Sequence, residues 1–158
     1  MPRFLEVRRI LVPVDFSDAS RVVLDYAVDI ARDRGAEVVL LHVVGLPAAP
    51  FDPAYGVVAD PRMALDLQSG AEKALADLAA KAGAGSGLTL KAKVVSGAPS
   101  REIVREAREG GYDLVVIGTH GRTGFKHVFL GSVAENVVRM APCPVVTVRL
   151  KGFEIERV

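Results

Sequence analysis

Cysteine is nearly missing from this chain of 158 residues, and Cys143 is the single example. One cysteine excludes an intrachain disulfide and any zinc cluster built from several thiolates. It lies in the run APCPVV, where a buried packing role fits better than a reactive thiol. Net charge is nearly missing as well. Twenty Lys and Arg against nineteen Asp and Glu leave a formal +1. There is no global electrostatic footprint for nucleic acid or an anionic membrane, so any anion must be held by a local arrangement. No segment reaches the roughly 20 apolar residues of a membrane span. The N-terminus, MPRFLEVRRILVPVDF, lacks the apolar core and small-residue cleavage site of a secretory signal. A cytoplasmic protein with no membrane or nucleic-acid partner is expected. Catalytic signatures are missing too: there is no GxSxG nucleophile elbow and no HExxH zinc motif.

What is present is an ordinary globular composition, half hydrophobic and one quarter charged, and a length suited to one domain over residues 1–158. RRILVPVDF reads as a strand buried on both faces. Ser17 is placed to cap a helix on which Val23, Tyr26, Ala27, Ile30 and Ala31 recur at helical spacing, and Gly35 ends it. AEVVLLHVV is a second buried strand. Residues 45–63 hold Pro47, Pro50, Pro53 and Pro61, which forbid a regular element and make a long loop, a candidate flap near a ligand. A helix follows with Leu67, Ala71, Ala74, Leu75, Leu78 and Ala82 on one stripe, and AGAGSG is expected to break it. LTLKAKVVSG is a third strand, nearer an edge. Pro99 and a Ser100 cap introduce a short helix carrying Ile103, Val104 and Ala107. YDLVVIG is a fourth strand. Ala134, Val137, Val138 and Met140 mark a last helix, and CPVVTVRL is a fifth strand. KGFEIERV is either a small extra strand or a frayed tail. The alternation β-α-β-α-β-α-β-α-β predicts an α/β fold with a parallel sheet and helices on both faces.

In such a sheet, ligands bind outside the carboxyl ends of the strands. The stretch GTHGRTGFKHVFLGSVAEN, residues 118–136, follows the fourth strand. Its glycines permit close backbone approach, its amides can form an anion-binding nest, and a helix start near Ser132 offers free N–H groups. Arg122 and Lys126 add charge. The spacing alone leaves a plain reading open, in which the glycines make a turn and SVAE is a capping box. A Walker A loop does not fit, because five residues rather than four separate Gly118 from Gly124. The first strand is followed by DFSDAS, with no GxGxxG fingerprint. His42 reads as a satisfied packing histidine, His120 and His127 lack metal-ligand partners at convincing spacing, and Asp113 reads as structural.

Gly118, two residues, Gly121, nine residues, then Gly131 and Ser132 match the G-2x-G-9x-G-(S/T) signature of the ATP-binding universal stress proteins. ILVPVDFS, LLHVV, SGAPSREIV, DLVVIGTHGRTG and LGSVAENVVRMAPCPVVTVR extend the resemblance over essentially the whole chain. The resemblance implies an open parallel five-stranded sheet of order 3-2-1-4-5. It implies that Pro13, Val14 and Asp15 line an adenosine pocket, that the Val43 backbone meets adenine, and that Ile117 and Gly118 lie near the ribose. Gly121 and Arg122 would begin the phosphate loop, and Gly131, Ser132 and Val133 would end it. The implied ligand is ATP, or ADP or AMP, with Mg2+ or Mn2+ for which no protein ligand is assigned. The implied assembly is a homodimer through the C-terminal strand, whose apolar edge would otherwise stay unpaired. No coherent catalytic set accompanies the cradle, so a nucleotide-dependent regulatory protein in the stress response is expected rather than a dedicated enzyme. A nucleotide-independent dimerisation or adaptor module and a slow ATPase are the alternatives.

Overall fold

A computed structural model describes residues 6–45, 61–119 and 130–149. The chain alternates strictly between strand and helix: β1 (Arg9–Pro13), α1 (Asp18–Arg34), β2 (Glu37–Val44), α2 (Pro61–Ser86), β3 (Leu90–Ser96), α3 (Pro99–Glu109), β4 (Leu114–Gly118), α4 (Ser132–Met140) and β5 (Val145–Val148). The five strands form one parallel sheet in the order β3-β2-β1-β4-β5. This is the α/β architecture and strand order expected above.

Side-chain alternation along the strands divides the core into two layers. Ile10 and Val12 of β1, Val38 and Leu40 of β2, and Leu114 and Val116 of β4 face α1 and α2, against Val23, Leu24, Ala27 and Leu75. Leu11, Val39, Leu41, Val115 and Ile117 face the other way, against Ile103, Val104 and Ala107 of α3 and Ala134 and Val137 of α4. The central strands are buried on both faces, which is why their sequences are continuous apolar runs. Each fully buried Leu, Ile or Val contributes about 1.5–3 kcal/mol of transfer free energy. Asp113 is structural, as read: its Oδ2 accepts from the backbone N–H groups of Arg8 and Arg9, each at 2.9 Å, and pins the start of β1 to the start of β4.

The ends of the helices follow local chemistry, with some corrections. Ser17 caps α1 and accepts from the Ser20 N–H, and Gly35 closes the helix in the left-handed conformation at φ 66°. Ser100 is not a cap. Ala98 takes that position and Pro99 opens α3, since proline's fixed φ and missing N–H suit the first helical residue. Pro61 likewise opens α2, so residues 61–63 belong to a helix rather than to the proline-rich loop. The AGAGS stretch does not break α2, which runs to Ser86. There the Ser86 hydroxyl bonds the Gly83 carbonyl at 3.0 Å, and Gly87 turns the chain at φ 73°. Ala82 and Leu88, on either side of these glycines, pack against the core. That packing overrides their weak helix propensity. The stripe on α2 is also shorter than expected, because Leu67 and Ala74 are exposed while Leu75 and Ala79 are buried. On α4, Val138 and Met140 are exposed, leaving Ala134 and Val137 as the buried pair. The loop over residues 46–60 and the tail from Lys151 lie outside the described residues.

Candidate functional site

β1 and β4 are neighbours in the sheet, and the strand order reverses between them. At their carboxyl ends lies a cavity of about 370 Å³. Its position is the one the fold favours for a ligand. β1 and the turn after it supply Pro13, Val14 and Asp15, and β2 supplies Leu41, His42 and Val43. β4 supplies Ile117 and Gly118, with Thr119 just beyond. Gly131, Ser132, Val133 and Ala134 close it from the start of α4. Nine of the eleven residues singled out from the sequence thus share one wall-to-wall cavity: Pro13, Val14, Asp15, Val43, Ile117, Gly118, Gly131, Ser132 and Val133. Gly121 and Arg122 lie outside the described residues, as do Gly124, Lys126, His120 and His127.

Among the described residues, Asp15 is the only charged one in the lining. Its Oδ1 accepts three hydrogen bonds, from the Ser17 N–H at 3.0 Å, the Ser17 hydroxyl at 2.5 Å and the Ser20 hydroxyl at 2.7 Å. The Asp15 N–H in turn donates to the Ser20 hydroxyl oxygen at 3.0 Å. Burial raises the carboxyl pKa, but the hydrogen bonds from Ser17 and Ser20 outweigh it and hold the group below the usual carboxylate range. The second oxygen, Oδ2, has no donor among the described residues, which leaves a charged acceptor for a hydroxyl or amine of a ligand. The turn that carries Asp15 contains Phe16 at φ 62°, the one non-glycine residue with positive φ among those described. Phe16 packs against His42 with ring centroids 4.4 Å apart and the planes tilted by 41°. The His42 Nδ1 lies 2.8 Å from the Val14 carbonyl oxygen. A carbonyl only accepts, so Nδ1 carries the proton. His42 is a satisfied histidine, as expected, but one that also lines the cavity.

The start of α4 departs from the capping-box expectation. Gly131 is the N-cap, Ser132 is the first helical residue, and no side chain caps the helix. The Gly131 N–H donates to the Thr119 carbonyl at 2.6 Å, so it is already spent within the protein. The first helical bond runs from the Glu135 N–H to the Gly131 carbonyl. The amides of Ser132, Val133 and Ala134 have no acceptor among the described residues, and all three residues line the cavity. Three uncapped amides at the positive end of a helix dipole form a donor set for an anion. Among the described residues no three His, Cys, Asp or Glu groups converge to hold a metal ion.

The sequence reading missed Ser20, Thr119, Ala134 and the α3 residues Pro99 and Ile103 in the lining. Some signal was available. Leu41 and Val43 are two apart on one strand face, and Pro99 and Ile103 are four apart on one helix face. Thr119 carried none, because its backbone role emerges only when Gly131 and Val148 arrive beside it.

Comparison with known proteins gives one answer. The sequence profile of the universal stress protein family matches residues 6–149. A universal stress protein of Methanocaldococcus jannaschii is 34% identical over 145 residues, covering 90% of this chain and 82% of its own length. The universal stress protein YxiE of Bacillus subtilis is 34% identical over 146 residues, covering 89% and 98%. Among solved structures, the universal stress protein UspA from Lactobacillus plantarum superposes with a TM-score of 0.78 at 33% identity, covering 90% of this chain and 98% of its own. Two further similar structures are a universal stress protein in complex with cAMP, at 26% identity, and one from Archaeoglobus fulgidus in complex with dAMP, at 25%. Their TM-scores are 0.66 and 0.60; they cover 90% of this chain in each case, and 97% and 98% of their own. With the profile matching residues 6–149 and the fold superposing on a solved universal stress protein, this chain belongs to the universal stress protein family.

Proposed function

We propose that the strand-end cavity binds an adenine nucleotide, ATP or its products ADP and AMP, and that the protein is a nucleotide-dependent regulator in the stress response, acting as a homodimer. The observation that carries this reading is the convergence on one cavity of an apolar slot, one charged acceptor and three amides with no acceptor among the described residues. Leu41, Val43, Ile103 and Ile117 give a surface for a flat base. Asp15 offers Oδ2 to a ribose hydroxyl or an exocyclic amine. The amides of Ser132, Val133 and Ala134 are the phosphate donors, while Gly131 serves by fitting closely, since its own N–H is engaged by Thr119. Adenine monophosphates bound to related proteins support the base and the first phosphate. Gly121 and Arg122 are proposed to extend the cradle toward further phosphates, with Mg2+ or Mn2+ carried on them.

A phosphoryl-transfer enzyme also needs a positioned nucleophile, or a base that orients water. Among the described lining residues the candidate bases are Asp15, whose Oδ1 is engaged by Ser17 and Ser20, and His42, whose Nδ1 is committed to Val14. The reading is therefore binding, with turnover slow where it occurs. Equilibrium dialysis with labelled ATP and AMP tests it. Saturable binding below millimolar concentration is expected, and none at millimolar nucleotide would favour the adaptor alternative. Ser132→Pro sharpens the test. Gly131 is extended, at φ −66° and ψ 152°, so proline fits the first helical position. It removes one amide and one hydroxyl and keeps the helix. Affinity should fall about tenfold with thermal stability unchanged, whereas Ser132→Ala should lose less.

A further inference from the structure

The geometry points to His42 as a positioning residue: by donating from Nδ1 to the Val14 carbonyl and packing against Phe16, it fixes the peptide plane from which Asp15 enters the cavity. The peptide linking Val14 to Asp15 is held at both ends. Its carbonyl accepts from His42 at 2.8 Å, and its N–H donates to the Ser20 hydroxyl at 3.0 Å. One residue earlier, the Val14 N–H donates to the Leu41 carbonyl at 2.9 Å, which continues the sheet. β2 therefore grips both polar groups of Val14, one through its backbone and one through a side chain. Beyond this peptide the chain must turn sharply, and it does so with Phe16 at φ 62°, which costs energy for any residue bearing a side chain. The same His42 ring that holds the carbonyl packs against Phe16, with centroids 4.4 Å apart. If the plane rotated, the bond from the Asp15 N–H to Ser20 would break first. The Ser17 and Ser20 donors would then no longer converge on Oδ1. The depressed carboxyl pKa of Asp15 agrees with a network held in one arrangement.

This inference rests on the proposed nucleotide reading for its binding consequence but not for its structural one, so it is tested by two measurements. The first is the titration of the Asp15 carboxyl by carbon NMR in nucleotide-free protein. The second is ATP affinity by calorimetry. Three variants separate the roles of the ring. The amide nitrogen of Asn sits where Nδ1 sits, so His42→Asn keeps the donor. The amide nitrogen of Gln sits near Nε2, so His42→Gln misplaces it, and His42→Leu removes it.

His42→Asn should bind ATP within about threefold of the parent, while Gln and Leu should lose about tenfold, the scale of one lost hydrogen bond to a buried carbonyl. Asp15 should titrate higher in the Gln and Leu variants only. Equal behaviour of all three variants would overturn the proposal. So would retention by Gln with loss by Asn, which would mean that Nε2 touches the ligand directly. If Leu fails to fold, the Asn and Gln pair still decides. If the parent binds no ATP, the nucleotide reading fails, and the Asp15 titration alone judges the positioning role.

Discussion

Asp15 places a negative charge at the edge of an apolar cavity, and its three donors make that charge an asset to the fold. Because its folded-state pKa is lowered, the contribution is present above the unfolded value of about 3.9 and is lost as pH falls through the folded value. Asp15→Ala removes the acceptor shared by Ser17 and Ser20 and should cost about 1–2 kcal/mol at neutral pH. That penalty should shrink below about pH 4, as the parent carboxyl protonates and its own stability falls. Urea unfolding of parent and variant at pH 7 and pH 3 provides the comparison. A penalty that does not change with pH would mean that the charge contributes nothing to the turn. The same residue shows what a sequence reading can reach. Asp15 was legible as a site residue through its family resemblance, and Ser17 through its capping chemistry. Ser20 was not, because a serine two residues inside a helix carries no sign that its hydroxyl will join Asp15.

At the scale of elements, period and length made every strand and helix legible, since each buried run had only one way to lie in a βαβ chain. What escaped was where tertiary packing outweighs local preference. The glycines of AGAGS predict a break, yet α2 passes through them because Ala82 and Leu88 are held by the core. The SVAE capping box likewise does not form: Gly131 is the N-cap, its N–H donates to the Thr119 carbonyl, and no side chain caps the helix. The glycines of α2 also differ from one another in a way that can be measured. A methyl group at Gly85 would meet nothing within 4 Å, whereas one at Gly83 would lie 2.8 Å from the Leu88 carbonyl oxygen. Gly85→Ala should therefore stabilise the protein by about 0.5–1 kcal/mol through helix propensity alone. Gly83→Ala should forfeit that gain against the backbone of Leu88. Denaturant midpoints of the two single variants test the contrast. Equal gains would show that the chain after Ser86 yields easily.

Over the whole molecule the sheet has two edges, and they are built differently. β3 carries Lys91 and Lys93, tied to Glu37 at 2.6 Å and to Glu106 at 2.7 Å. Charged side chains of this kind discourage another strand from pairing. β5 carries no charge over Val145–Val148. Val146 is 38% exposed, and no described strand pairs with its outer side. α4, which packs against β5, adds the exposed Val138 and Met140. Two copies meeting along β5 would satisfy the free backbone groups and cover these side chains in one self-complementary contact. A stable interface buries about 800 Å² on each partner, more than four strand residues supply, so the α4 side chains are expected to share in it. Val146→Lys gives the β5 edge the character of β3. Sedimentation velocity at micromolar concentration should find the parent dimeric and the variant monomeric. Val146 does not line the cavity, so nucleotide affinity should survive in the monomer. A parent that sediments as a monomer would remove β5 as the meeting edge. A variant that loses dimerisation and binding together would instead mean that the partner copy helps to build the site.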